Sequence, residues 1–233
     1  ADACKDQEIV FHCAALPSPW GNFELFYQAN VIGTRVYERI MEDHVLDSLS
    51  CLLVPSFDTA RNMVDIGTGG GLPGIPLKIA RPVLSASLVE STAKKTSFLK
   101  YVALELGLEG VEILNARAEN VGKDPLHRAS YDVATTRAVA SLAAVAEYCV
   151  PLVRVGGQVV AMKGRITTQE LKEGTHAAEL LGARVAKVLL VPLLAEVRAE
   201  ERCLVVLEKI RETPARYPRK PGEARKHPLG VGN

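Results

Sequence analysis

The chain has 233 residues, 48% of them hydrophobic and 24% charged, with 28 Lys or Arg against 27 Asp or Glu for a net charge of +1. That composition can bury one α/β core with a small accessory element, and it excludes a disordered or fibrous chain. No apolar run approaches the roughly 18–20 residues of a membrane span, and no leader of the secretory kind is evident, so a cytoplasmic protein with no membrane partner is expected.

In chain order, Asp6 to Leu16 can form a helix that Pro17-Ser18-Pro19-Trp20-Gly21-Asn22 breaks. From Phe23 to about Leu53, apolar residues recur at helical spacing (Phe23, Phe26, Tyr27, Val36, Ile40, Val45, Leu46, Leu49). An N-terminal helical region over residues 1–54 is therefore expected. The link Pro55–Arg61 joins it to a main domain over residues 61–210, followed by a basic, proline-rich tail over residues 211–233. In the main domain Asn62–Ile66 predicts a buried strand, and Ile75–Ala80 a helix stopped by Arg81-Pro82. Leu84–Glu90 predicts a second strand, and Ala93–Leu106 a helix that is amphipathic on Phe98, Leu99, Val102 and Leu106, closed by Gly107. Val111–Leu114 and Asp132–Thr136 read as further strands. Leu142–Val153 reads as a helix ending at Gly156-Gly157, Gln158–Met162 as a strand, and Thr167–Leu181 as a helix capped by Gly182. Val185–Val191 and Cys203–Leu207 are late strands whose short connection holds no helix, so they should pair antiparallel.

The loop after the first strand carries the most information. Asp65-Ile66-Gly67-Thr68-Gly69-Gly70-Gly71-Leu72-Pro73-Gly74 has almost no side chains, so its backbone can take positive φ and approach a ligand closely. Residues 69–74 satisfy the dinucleotide fingerprint G-x-G-x-x-G literally. Its register is wrong, because Gly67 occupies the strand-turn position and the frame starting there lacks the third glycine. Asp-x-Gly-x-Gly-x-Gly instead looks like the first motif of S-adenosylmethionine-dependent methyltransferases. Glu90, at the tip of the second strand, can accept both ribose hydroxyls of either cofactor, or can serve as a helix cap. A nicotinamide-dependent oxidoreductase and a non-catalytic RNA-binding protein remain alternatives at this point. The antiparallel end of the sheet favours the methyltransferase class, since a dinucleotide fold would end on another parallel crossover.

The five cysteines (Cys4, Cys13, Cys51, Cys149, Cys203) and five histidines are dispersed, which suggests reduced thiols and predicts no metal site. From Lys209 onward seven Lys or Arg face only Glu212 and Glu223, and Pro214, Pro218, Pro221 and Pro228 exclude a long helix. Such a tail can be a phosphate-contacting strap or a solvated terminus.

Several blocks together carry a resemblance: His44-Val45-Leu46-Asp47-Ser48-Leu49; Val64 to Leu77 with its Leu-Pro-Gly-Ile-Pro extension; Glu90 with Lys94-Lys95 and Phe98-Leu99; Arg117-Ala118-Glu119; Arg137-Ala138-Val139-Ala140; Lys163-Gly164; and Tyr217-Pro218-Arg219-Lys220-Pro221-Gly222. In order from about Asn30 to Leu229, they resemble the RsmG (GidB) family of bacterial 16S rRNA guanine-N(7) methyltransferases. The resemblance implies a class I, Rossmann-like methyltransferase fold: a mostly parallel sheet ending in an antiparallel hairpin, with a small N-terminal helical subdomain. It implies S-adenosylmethionine as cofactor and methylation of the guanine at position 527 of 16S rRNA, in the decoding-region loop, with the small ribosomal subunit or a precursor as partner. Carried over, Gly67 and Leu72 touch the cofactor, Glu90 lies near its ribose, Ala118 and Glu119 lie beside the adenine, and Arg137 faces the methyl-transfer pocket. Asp65, Gly69 and Gly71 belong to the same cofactor loop. Val31-Ile32 departs from the Asn-Leu-Thr usual in the family after the position of Asn30, and residues 1–22 match nothing in the pattern.

Guanine nitrogen 7 has an in-plane lone pair and no proton, so the reaction requires alignment and exclusion of water rather than a general base. Arg137 is the catalytic candidate, best placed on the guanine carbonyl edge, a phosphate or the cofactor carboxylate, because the product base is cationic. Lys163, Arg165, Arg216, Arg219, Lys220, Arg225 and Lys226 are candidate RNA contacts. His44, Asp47 and Ser48 form either a local cap or part of the RNA surface.

Overall fold

The computed structural model describes residues 41–191 and 201–230. The helix expected over Asp6–Leu16, the break after it and most of the N-terminal region lie outside the described residues. From residue 41 the chain makes a π-helical stretch (Met41–Leu46), a single α turn (Asp47–Leu49), a 3-10 turn (Ser50–Leu53) and a short helix (Ser56–Thr59), in the stretch where helical spacing is expected to run to about Leu53. Ser48 and Ser50 hydroxyls donate to the carbonyls of His44 and Asp47, which draws these turns tight.

Seven strands form one sheet: β1 (Asn62–Ile66), β2 (Ser85–Glu90), β3 (Val111–Asn115), β4 (Tyr131–Arg137), β5 (Val153–Lys163), β6 (Ala183–Leu190) and β7 (Cys203–Lys209). The spatial order is β3-β2-β1-β4-β5-β7-β6. The first five strands are parallel, and β7 lies antiparallel to both β5 and β6. A dinucleotide fold would place a sixth parallel strand beside the fifth. The antiparallel insertion removes the oxidoreductase alternative and gives the class I methyltransferase sheet.

Beyond the N-terminal turns, the helices described are α1 (Gly74–Ala80), α2 (Ala93–Glu105), α3 (Ala118–Val121), α4 (Leu142–Cys149), α5 (Thr168–Leu181) and α6 (Glu223–Lys226). Strand side chains alternate between two cores, as a two-fold pleat requires. Met63, Val133, Val160, Leu204 and Val206 face Cys51, Val54 and Phe57 from the N-terminal turns, with Leu77 of α1. Val64, Ala134, Val159, Ala161 and Val205 face α4 and α5. Buried Lys78 ends α1 by donating to the carbonyls of Pro82 and Leu84, both at 2.7 Å. Thr167 accepts from the Glu170 N–H and caps α5, while Gly182 closes it at φ 91°, as expected.

Two local expectations need correction. The helix predicted over Leu142–Val153 ends at Cys149, because Pro151 cannot continue it, and β5 begins at Val153. Gly157 then lies inside the strand, where a Cβ would stand 2.9 Å from the Asp132 carbonyl oxygen; only glycine fits this irregular pairing with β4. On α2, Leu99 is buried but Phe98, Tyr101 and Leu104 are exposed, so its apolar residues do not all face the sheet.

The C-terminal segment packs back on the domain. Lys209, which the charge count places in the tail, is the buried last residue of β7 and donates to the Val153 carbonyl at 2.8 Å. Arg128 donates to the carbonyls of Gly122, Thr213 and Tyr217 at 2.8–2.9 Å. Glu147 of α4, with 0% exposure, accepts from the backbone N–H, Nε and Nη2 of Arg219. Tyr217 and Ala224 are buried beside α4.

Candidate active site

The C-terminal ends of β1, β2, β3 and β4 converge on one edge of the sheet, and every candidate cofactor residue lies there. At the end of β1 the chain turns through Gly67, Gly69 and Gly71, all at positive φ (69°, 61° and 95°). The N–H groups of Gly67 and Thr68 bind the Val89 carbonyl of β2, which fixes the loop against the neighbouring strand. Two glycines face protein: a Cβ on Gly67 would stand 2.7 Å from Val139, and one on Gly71 would stand 2.3 Å from Ile75. At Gly70 a Cβ would meet nothing within 4 Å. The loop is thus packed on its inner side and open on its outer side, a cradle that fits a nucleoside lying against backbone.

Asp65 sets the shape of this cradle from beneath. It is fully buried, its Oδ2 accepts the Gly74 N–H at 2.9 Å, and the Thr135 hydroxyl donates to its Oδ1 at 3.2 Å. Burial raises its pKa from an ordinary 3.8 to about 6, against the pull of the Thr68 hydroxyl, the Gly74 N–H, the Thr135 hydroxyl and the Arg137 charge. In this structure it braces the helix start.

Glu90, 7% exposed, ends β2 beside the loop, with Oε1 accepting the Thr92 N–H at 2.8 Å and Lys95 3.8 Å from Oε2. Burial alone would raise its pKa, but the Thr92 N–H and hydroxyl, the Lys95 charge and the Gly69 N–H outweigh it and hold the carboxyl below its ordinary value. One carboxylate therefore faces both the loop and the α2 start, which joins its two sequence readings. Ala118 and Glu119 open α3 just past β3, whose Asn115 pairs with Glu90 in the sheet. Glu119 is 4% exposed, and its Oε1 accepts the Gly222 N–H of the C-terminal segment at 2.7 Å. Leu72 is half-buried at the exit of the loop.

Arg137 ends β4. Its Nη1 lies 3.3 Å from Asp47 Oδ2 and its Nη2 3.4 Å from His44 Nδ1, so the His-x-x-Asp-Ser block and the β4 end form one constellation. The next residue, Ala138, is held at φ 54°, an uncommon conformation outside glycine, and Val139 then packs on Gly67. A small cleft opens on the other side of this turn, lined by Asp47, Arg137, Ala138, Lys163, Arg202 and Cys203 among others. Ala138 lines the cleft and Val139 packs on Gly67, so the Arg137–Val139 segment stands between cofactor loop and cleft. The sequence offered no sign of Arg202 or Cys203 as cleft residues. The part of Asp47 was hidden because its partner lies 90 positions away.

The candidate RNA contacts divide into two groups. Lys163 donates to the Ala140 carbonyl at 2.8 Å and pairs with Glu170 at 2.7 Å, and Arg219 is engaged with Glu147. Arg165, Arg216, Lys220, Arg225 and Lys226 are exposed, with Arg216 lying over the Tyr217 ring at 5.0 Å. Among the described residues no three His, Cys, Asp or Glu side chains converge to hold a metal ion, and no helix is long and apolar enough to cross a membrane. Cys51, Cys149 and Cys203 are free thiols, raised in pKa by burial.

Residues 24–196 match the family model GidB, described as rRNA small subunit methyltransferase G. The chain is 55% identical over 208 residues to the ribosomal RNA small subunit methyltransferase G of Rubrobacter xylanophilus, covering 89% of this chain and 80% of that protein. Its fold is similar to the 16S rRNA (adenine(1408)-N(1))-methyltransferase of Catenulisporales acidiphilia, with a TM-score of 0.55 at 16% identity over 69% of this chain and 90% of that one. A geranyl diphosphate methyltransferase solved in complex with S-adenosylmethionine is similar with a TM-score of 0.50 at 14% identity over 64% and 78% of the two chains.

Proposed function

The chain belongs to the rRNA small subunit methyltransferase G family, and on that premise we propose that it transfers a methyl group from S-adenosylmethionine to nitrogen 7 of the guanine at position 527 of 16S rRNA. The reading is carried by one juxtaposition: a side-chain-poor loop that can cradle a nucleoside, separated by the Arg137–Val139 turn from a polar cleft that can take a base. Gly67, Gly69, Gly71 and Leu72 hold the cofactor, Glu90 takes its ribose hydroxyls, and Ala118 and Glu119 border its adenine, while Asp65 keeps the loop in shape. S-adenosylmethionine supplies, when bound, a methyl already activated on a sulfonium. The protein's own task is alignment and exclusion of water, so no proton-transfer residue is needed. Arg137 stands at the border between loop and cleft, where it orients the base through its carbonyl edge or binds an adjacent phosphate.

The division into an N-terminal helical region (1–54), a cofactor domain (61–210) and a basic tail (211–233) is part of this proposal. RNA contact is proposed chiefly for Arg165, Arg216, Lys220, Arg225 and Lys226, because Lys163 and Arg219 already have carboxylate partners. The substrate is the small subunit or a precursor, which puts the protein in the cytoplasm, and no metal takes part. Tritiated methyl transfer onto small subunits lacking the modification, followed by mapping of the labelled base, tests the assignment. Label is expected on a single guanine of 16S rRNA; label on a pyrimidine, a protein or a small molecule refutes it.

A further inference from the structure

We propose that Asp47 is the specificity residue for the target base, its carboxylate accepting the N1–H and 2-amino hydrogens of the guanine while Arg137 holds the opposite, carbonyl side. This rests on the methyl-transfer reading above and names the group that selects guanine. Asp47 is a carboxylate with only 5% exposure, yet it lines the cleft beside the Arg137–Val139 turn. Its Oδ2 faces Arg137 Nη1 at 3.3 Å, and no described residue gives a hydrogen bond to its other oxygen. It is also fixed in place, because the Ser50 hydroxyl donates to its backbone carbonyl and the Ser48 hydroxyl donates to the carbonyl of His44 one turn earlier.

The chemistry distinguishes the bases. A base taken into an enzyme cleft is read along its Watson–Crick edge. Guanine presents two adjacent donors there, N1–H and N2–H, and a carboxylate presents two acceptors at matching separation. Adenine and uracil put an acceptor at one of these places and would set a lone pair against the anion. The carboxylate also suits the reaction. As the nitrogen 7 lone pair forms the new bond to the methyl carbon, the C–S bond breaks with its electron pair returning to sulfur, and the positive charge passes from sulfur to the purine. An anion at N1 and N2 stabilises the charge that spreads over the purine, without approaching nitrogen 7, where it is centred. Arg137 at that edge would oppose it, so the acid offsets the arginine needed for orientation.

The test pairs a protein change with a substrate change. Small subunits are reconstituted on rRNA carrying either guanosine or inosine at the target position, inosine lacking only the 2-amino group. Methyl transfer is measured as kcat/KM for the wild type, Asp47→Asn and Asp47→Ala, and calorimetric titration with S-adenosylmethionine checks that each variant keeps its cofactor site. The wild type should prefer guanosine by roughly 10- to 150-fold, the range for one hydrogen bond to a charged group, since inosine keeps N1–H and loses only the 2-amino donor. Asp47→Asn should reduce that preference at least several-fold, and Asp47→Ala should bring it close to one. If both variants lose activity but keep the full guanosine preference, Asp47 acts only through Arg137 and the proposal is overturned. Equal use of guanosine and inosine by the wild type overturns it as well, with the methyltransferase reading intact. A wild type that labels neither substrate would remove that reading and this proposal together.

Discussion

Replacing Asp65 with asparagine isolates the energetic effect of the acid beneath the cofactor loop. Asp65 has no exposure, and its carboxyl titrates near 6 instead of 3.8. Below pH about 4 the group is protonated in both the folded and the unfolded chain, and it contributes no difference. Between about 4 and 6 the folded protein retains a proton that the unfolded chain has lost, so stability falls as pH rises. Above about 6 the folded state bears the whole penalty, about two pH units at roughly 1.36 kcal/mol each, or about 3 kcal/mol. Asparagine has the same shape: its carbonyl can keep the 2.9 Å contact with the Gly74 N–H, and its amide can donate to the Thr135 hydroxyl. Asp65→Asn should therefore match the wild type near pH about 4 and exceed it by up to about 3 kcal/mol near neutrality. For a chain of this size that is roughly 6–12 °C in melting temperature. Glu90 and Asp132, held below their ordinary pKa, contribute stability that is lost as pH falls, but they do so in both proteins and cancel in the difference. Urea unfolding across this range without S-adenosylmethionine measures it. A difference independent of pH, or one that grows toward acid, would refute the reasoning.

Arg219→Ala leaves the fully buried Glu147 without its guanidinium and should destabilise by about 3–5 kcal/mol in urea unfolding; a loss below about 1 kcal/mol would mean the pair does not hold the C-terminal segment. Gly67→Ala combines a φ of 69° with a Cβ 2.7 Å from Val139, and should lower stability by about 1–3 kcal/mol and weaken S-adenosylmethionine in calorimetry. Gly70→Leu, whose first atom meets nothing within 4 Å, should leave the melting temperature unchanged and still weaken the cofactor at least about tenfold by filling the cradle. Unaltered affinity would show that the open side of the loop is not where the cofactor lies. Changing Lys220, Arg225 and Lys226 together to alanine should lower the slope of log affinity against log salt for small subunits by about two, at roughly 0.7 per lost phosphate contact. An unchanged slope would take the tail off the RNA.

The cofactor half of the molecule was readable from the chain because its signals are local. Strand β1, the glycine loop and the α1 start occupy adjacent residues, and Glu90 and Ala118-Glu119 each follow a strand of recognisable pattern. Boundaries shifted where a local signal was ambiguous. Val150 to Val153 continues the apolar run of α4, but Pro151 breaks the helix and Val153 already opens β5. The cleft could not be read, since it is made by pairing Asp47 with Arg137 and by bringing Arg202 and Cys203 against the end of β5. The same holds for the tail. Its charges suggest a phosphate-contacting strap or a solvated terminus, and nothing in its sequence tells that Glu147 and Glu119 take up Arg219 and Gly222.

The position of β7 has a consequence for how the molecule must assemble. It lies between β5 and β6, although it follows both in the chain. A nascent polypeptide that has emerged only as far as β6 would carry the glycine loop, Glu90 and Arg137, yet two of its strands would lack the neighbour that joins them. Until Cys203–Lys209 enters, the edges of β5 and β6 stay open to unwanted pairing. Closure of the sheet is thus a late, long-range event, and truncation before this strand should yield aggregation rather than a smaller working enzyme.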